Sequence, residues 1–202
     1  MATIERVALG LRAHSGWAVL VALRGPASGP AVVDRRRLVL CDKSFPRQPY
    51  HAAENLSAEK AQALVGRSLE TANRLACEAL ASAAKERRAA GQEIAGAGLL
   101  LGSARPMPAE LTAILRAHPL IHTAEGVMYR EALRLGCERA AVTVVGVRER
   151  EIEASACQQF KLAPLAMRTK VTALGKPLGP PWTQDEKLAT LAAWLVLTGA
   201  KN

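Results

Sequence analysis

Hydrophobic positions along this chain fall first into a two-residue rhythm, then a helical one, then into short unbroken runs. Residues 4–12 and 16–24 are apolar runs joined by the small, turn-forming AHSG, a pattern that predicts a β-hairpin. RGPASGP (24–30) is a second turn. The AVVDRRRLVL that follows partly alternates apolar with charged positions, predicting a third strand near an edge with Asp34 and Arg36 toward solvent. Residues 41–56 carry two prolines and no period, which predicts a loop.

From there the spacing becomes helical. Ser57 is placed as an N-cap, and Ala61, Leu64, Val65, Leu69, Ala72, Leu75, Ala76 and Leu80 recur on one face. That helix should run to about Ala90 and stop at Gly91. IAGAGLLLG (94–102) is apolar without alternation, as in a strand buried on both faces between parallel neighbours. Pro106 and Pro108 open a short helix to about Ala117, and Pro119 opens another to about Gly136. AVTVVGV (141–147) reads as a second buried strand, followed by helices over 149–161 and 164–174, the stiff GKPLGPP, and a last helix over 183–198. The order β-β-β-α-β-α-β-α predicts an α/β fold: a five-stranded mixed sheet, three strands antiparallel plus two parallel, flanked by helices. Residues 1–202 are read as one domain.

Composition supports this. Half the residues are hydrophobic, and three Trp, two Tyr and two Phe are too few for an aromatic-rich β-sandwich. Lysine and arginine number 27 against 18 acids, a formal charge of +9. Such a balance suits an anionic partner, nucleic acid first, although a basic chain can equally bind nothing. Cys41, Cys77, Cys137 and Cys157 are scattered without a C-x-x-C pair, as expected of reduced cysteines in a cytoplasmic protein. With no 18-residue apolar run and no charged region before a long apolar one at the start, neither a membrane partner nor secretion is expected.

ALGLRAHSGWAVLVA resembles the first hairpin of Holliday-junction resolvases of the RuvC type, within the ribonuclease H-like superfamily. LIHTAEGVMYREALRLGCE is similar to that family's helix with a small-residue and glycine centre after the fourth strand, and DEKLATLAAWLVL to its closing helix. The resemblance implies three or four carboxylates around divalent metal ions, which activate water and stabilise the leaving oxygen. Here the first-strand acid falls on Arg12 and the fourth-strand acid near Leu101 or Gly102, while Asp185 and Glu186 stand at the closing-helix acid. An arginine side chain is a donor only and cannot ligate a cation. What the resemblance implies is therefore a divergent relative with its nuclease acids largely lost.

In such a sheet, ligands bind where the carboxyl ends of the parallel strands diverge. Arg12, Ser15, Ser103, Arg105 and Arg148 would gather there as a phosphate seat for nucleic acid or a nucleotide phosphate, with His14, Asp185 and Glu186 as candidate catalytic groups. The competing reading pairs Arg12 and Arg148 with Asp185 and Glu186 in place of a lost metal site. TQDE is also a capping box, in which Thr183 caps the helix and Glu186 reaches back.

HPLIHTAEGVMYRE (118–131) puts His122, Glu125 and Tyr129 on one helical face. His122 and Glu125 are candidate ligands for a divalent metal, given a second contributor such as His14 or His51; alternatively Glu125 orients His122 as a base, or His122 is simply hydrogen-bonded at a helix interface. His118 is expected at the cap, turned elsewhere. Arg47, Tyr50, His51 and Glu54 sit on the proline-spaced loop, where Phe45 and Tyr50 either stack on bases or pin the loop to the core.

No G-x-G-x-x-G, G-K-[ST] or G-x-S-x-G pattern follows a strand. The leading expectation is an anion-binding ribonuclease H-like protein. A metal-dependent hydrolase or nuclease using His122, Glu125 and Asp185 is the alternative. The third reading is a non-catalytic homodimer formed through LATLAAWLVL and an outward Trp194.

Overall fold

The computed structural model of the protein describes residues 4–102 and 106–199. A hairpin of β1 (Glu5–His14) and β2 (Trp17–Arg24) turns through Ser15 and Gly16, with His14 opposite Trp17. The third strand, β3 (Ala31–Val39), extends it antiparallel along β2. On the other side of β1 lie β4 (Gln92–Leu101) and β5 (Val144–Arg148), both parallel. The sheet order is β3-β2-β1-β4-β5, the mixed five-stranded sheet that the apolar runs predict.

Two layers of helix cover it. On one face α2 (Ala58–Ala89) packs beside α4 (His118–Arg139), burying Val7, Leu9, Leu11, Leu20 and Leu99 with Leu80, Leu133 and Tyr129. Each such aliphatic side chain contributes roughly 1.5–3 kcal/mol of burial. The opposite face carries α5 (Ile152–Phe160), α6 (Pro164–Leu174) and α7 (Gln184–Leu197), which bury Ala8, Leu23, Leu100 and Val147. Among the described residues all four cysteines are free, and no helix is long and apolar enough to cross a membrane.

What positions the site is the seat of α7. Gly10 and Gly98 are register partners on β1 and β4, and both face this helix. A Cβ built on Gly10 would stand 1.8 Å from the Ala189 carbonyl oxygen, and one on Gly98 2.5 Å from that of Ala192. The two glycines let the helix backbone rest directly on the strands, which fixes its first turn at the carboxyl end of β1.

Several expectations need correction. Trp194 is only 3% exposed, stacks at 4.4 Å on Phe160 and donates its ring N–H to the Ala27 carbonyl at 2.9 Å. The apolar stretch of α7 is covered by the protein itself and offers no dimer face. A helix that is apolar all round belongs inside, which is why the outward placement of Trp194 fails. Asp34 and Arg36 are half-buried rather than solvent-facing: Arg36 pairs with Asp34 at 2.6 Å and bridges to Glu86 of α2. Ser57 occupies the N-cap of α2 but makes no side-chain cap bond. The 41–56 segment contains a short helix, α1 (Pro49–Ala53), and residues 106–117 hold only the short α3 (Leu111–Leu115).

Candidate functional site

Even-numbered residues of β1 face α7, so the strand delivers Gly10, Arg12 and His14 to that side. The Arg12 guanidinium lies between two carboxylates. Its Nε and Nη2 donate to Glu149 at 3.2 and 2.7 Å, and Nη1 donates to Asp185 Oδ1. Glu149 is held by the end of β5, where its N–H bonds to the Leu101 carbonyl at 3.0 Å. Asp185 sits in the first turn of α7. The end of β1, the residue just past β5 and the first turn of α7 thus meet around one cation, and that cation is a side chain.

Glu149 is the partner that sequence reasoning missed. The spacing there predicts a helix from 149, but α5 begins at Ile152, and the intervening turn points Glu149 at Arg12. Arg148, the expected contributor, is exposed and reaches Glu151 at 3.4 Å instead. The available clue was position: Glu149 is the first residue past a parallel strand's carboxyl end.

His14 Nε2 is 3.2 Å from Asp185 Oδ1, yet it makes no well-aligned hydrogen bond and is buried from solvent. Its ring stacks on Trp17 at 4.2 Å and 11°, and Arg37 lies 3.9 Å above the same indole. Burial lowers the His14 pKa, and the Arg12 charge lowers it further; Arg37 adds to this and Glu149 opposes it.

Glu186, offered above as a catalytic candidate, accepts the Thr183 N–H at 2.7 Å and the Thr183 hydroxyl in a complete capping box. It is 7% exposed and takes no part in the Arg12 group. Ser15 lies in the hairpin turn, and Ser103 and Arg105 fall outside the described residues. A cleft of about 660 Å³ opens beside Arg12, lined by Leu101, Gly102, Arg148, Glu149, Arg150 and Glu153 among others. Arg130 of α4 reaches this strand end as well: a Cβ built on Gly102 would meet its Nη1 at 3.2 Å. Among the described residues no carboxylate pairs with Arg130, and its burial works against its charge.

His122 and Glu125 lie elsewhere. Glu125 turns to His51 rather than to His122, accepting the N–H groups of Tyr50 and His51 at 2.8 and 3.2 Å. His118 is not turned away: its Nε2 is 3.0 Å from that of His122. No hydrogen bond, ion pair or ring contact among the described residues joins these groups to Asp185 or His14, so the hydrolase constellation of His122, Glu125 and Asp185 is not assembled. The loop is pinned to the core, with the Tyr129 hydroxyl donating to the Arg47 carbonyl at 2.8 Å and Tyr50 packed inward.

The chain is similar over 98% of its length to "T. thermophilus RuvC in complex with Holliday junction substrate", with a TM-score of 0.57, 10% sequence identity and 98% of that chain covered. It is similar in the same way to "Thermus thermophilus RuvC structure", with a TM-score of 0.53, 10% identity and 96% of each chain covered. The fold is ribonuclease H-like, of the RuvC type. No protein-family model matches the sequence, nor does any curated protein.

A RuvC-type fold implies divalent metal ions among carboxylates at these strand ends, and the residues present do not fit them. Arg12 stands on the first strand and fills the space between Glu149 and Asp185; Leu101 and Gly102 offer no side-chain ligand; Glu186 is bound to its cap. The guanidinium supplies the positive charge such a carboxylate set needs, without an open coordination position for water.

Proposed function

We propose that this protein is a cytosolic nucleic-acid-binding member of the RuvC-type fold that recognises structured DNA without hydrolysing it. The observation that carries the reading is the Arg12 guanidinium bridging Glu149 and Asp185 where metal ligands are expected. Two-metal hydrolysis requires open positions on a cation for water and the phosphate oxygen, and a guanidinium has none.

Binding draws on the remaining positive groups. Arg148 and Arg150, with exposed side chains, stand at the mouth of the cleft, and Arg130 lies at its β4 end. Phosphate contacts of this kind supply most of the affinity for nucleic acid and make it salt-dependent. The likeness to a resolvase solved with a Holliday junction supports a branched duplex as the probe, and the formal charge of +9 supports a polyanion in general.

The test is fluorescence anisotropy with an immobile four-way DNA junction across a range of salt concentrations. We expect binding that weakens linearly in log–log form, with Arg148→Ala and Arg150→Ala each lowering the slope by about one. Affinity that is absent, or indifferent to salt, overturns the reading.

A further inference from the structure

Three of the chain's four histidines stand together outside the Arg12 group. We propose that His51, His118 and His122 form a binding site for a divalent transition-metal ion of the zinc class, with Glu125 as the buried carboxylate that orients His51. The site is independent of the nucleic-acid reading and shares no residue with it.

The geometry begins with α4. His118 and His122 are one helical turn apart, which puts both rings on the same side, and their Nε2 atoms are 3.0 Å apart. A tetrahedral zinc with nitrogen ligands at about 2.0–2.1 Å holds them roughly 3.3 Å from each other. That pair therefore already stands near ligating separation. His51 arrives from α1, far away in sequence, and offers a ring nitrogen within 4.8 Å of both others. The rings approach edge to face, with centroids 4.6 Å apart for His51–His122 and 5.4 Å for His51–His118. Closing the remaining gap takes about 1.5 Å, within reach of side-chain rotation at the exposed His118 and His122.

The surroundings match those of a ligating imidazole. A metal-bound histidine generally turns its second nitrogen to a carboxylate, which fixes the tautomer and the ring. His51 Nδ1 faces Glu125 Oε1 at 3.3 Å, and His118 Nδ1 faces Glu54 Oε1 at 4.0 Å. Glu125 thus stands within hydrogen-bond distance of a His51 ring nitrogen, whereas Glu54 only approaches His118. Glu125 also anchors the backbone N–H groups of Tyr50 and His51, so it holds α1 in place against α4. Its other oxygen, Oε2, is buried with no hydrogen-bond partner. An all-imidazole ligand set selects zinc, copper, nickel or cobalt over magnesium and calcium, which prefer oxygen. Three protein ligands leave one coordination position for water.

The experiment uses tag-free full-length protein stripped with a chelator, then titrated with zinc chloride by calorimetry and with cobalt(II) by visible absorption. We expect one ion per chain and a tetrahedral cobalt spectrum. His118→Ala and His122→Ala each abolish stoichiometric binding, while His14→Gln leaves it unchanged. Glu125→Gln, checked for folding by circular dichroism, weakens affinity by about 10- to 100-fold as a positioning residue should. Failure of stoichiometric zinc binding overturns the site, as does binding that survives the His118→Ala/His122→Ala double variant. The 3.0 Å contact is then an N–H···N hydrogen bond and nothing more.

Discussion

Replacing Arg12 with alanine leaves two carboxylates facing the space that the guanidinium filled. The Arg12 and Asp185 side chains keep 19% and 22% of their exposure and Glu149 keeps 40%, so the network is neither a surface pair nor a fully buried one. Exposed pairs contribute up to about 1 kcal/mol, whereas breaking a buried pair costs about 3–5 kcal/mol. The exposure places Arg12→Ala near 2 kcal/mol of lost stability, about 4–8 °C in melting temperature for a chain of this length. Thermal unfolding followed by circular dichroism measures it. Arg12→Asp should fall further, since it adds a third carboxylate, and magnesium should raise its melting temperature while leaving the wild type unmoved. An Arg12→Ala variant as stable as wild type, or an Arg12→Asp variant indifferent to magnesium, refutes the view that Arg12 stands in for a cation.

Two more outcomes follow from the same contacts. His14 titrates lower in the folded chain than its ordinary 6.5, chiefly through burial. The unfolded chain then binds more protons below that value, so stability falls as pH drops from about 6.5 toward the depressed folded pKa. Urea midpoints between about pH 5 and 8 should show this slope, and His14→Gln should flatten it; identical profiles contradict the assignment. Gly98→Ala forces a Cβ against the backbone of α7 and should cost about 1–3 kcal/mol, whereas Gly66→Ala, with nothing within 4 Å, should be neutral or better. Equal unfolding midpoints for the two variants rule out direct seating of the helix.

The sheet was legible because its strands are written in two distinct rhythms, alternating in β3 and unbroken in β4 and β5. The capping box was legible because Thr183 and Glu186 are local in sequence. Arg12 could be placed at the end of the first strand, but its partners could not. Glu149 depends on whether residues 149–151 form a turn or the start of the helix, a choice of three residues that helical spacing does not resolve. The histidine cluster depends on α1 docking against α4, and nothing in the spacing of residues 41–56 reveals that Glu125 anchors them. Long-range pairing of this kind lies in packing rather than in periodicity.

The most direct test is the fate of junction DNA bound by the wild-type protein in magnesium or manganese, resolved on a denaturing gel. The account predicts a bound junction whose strands remain intact. Metal-dependent strand cleavage that disappears in Asp185→Asn would contradict it.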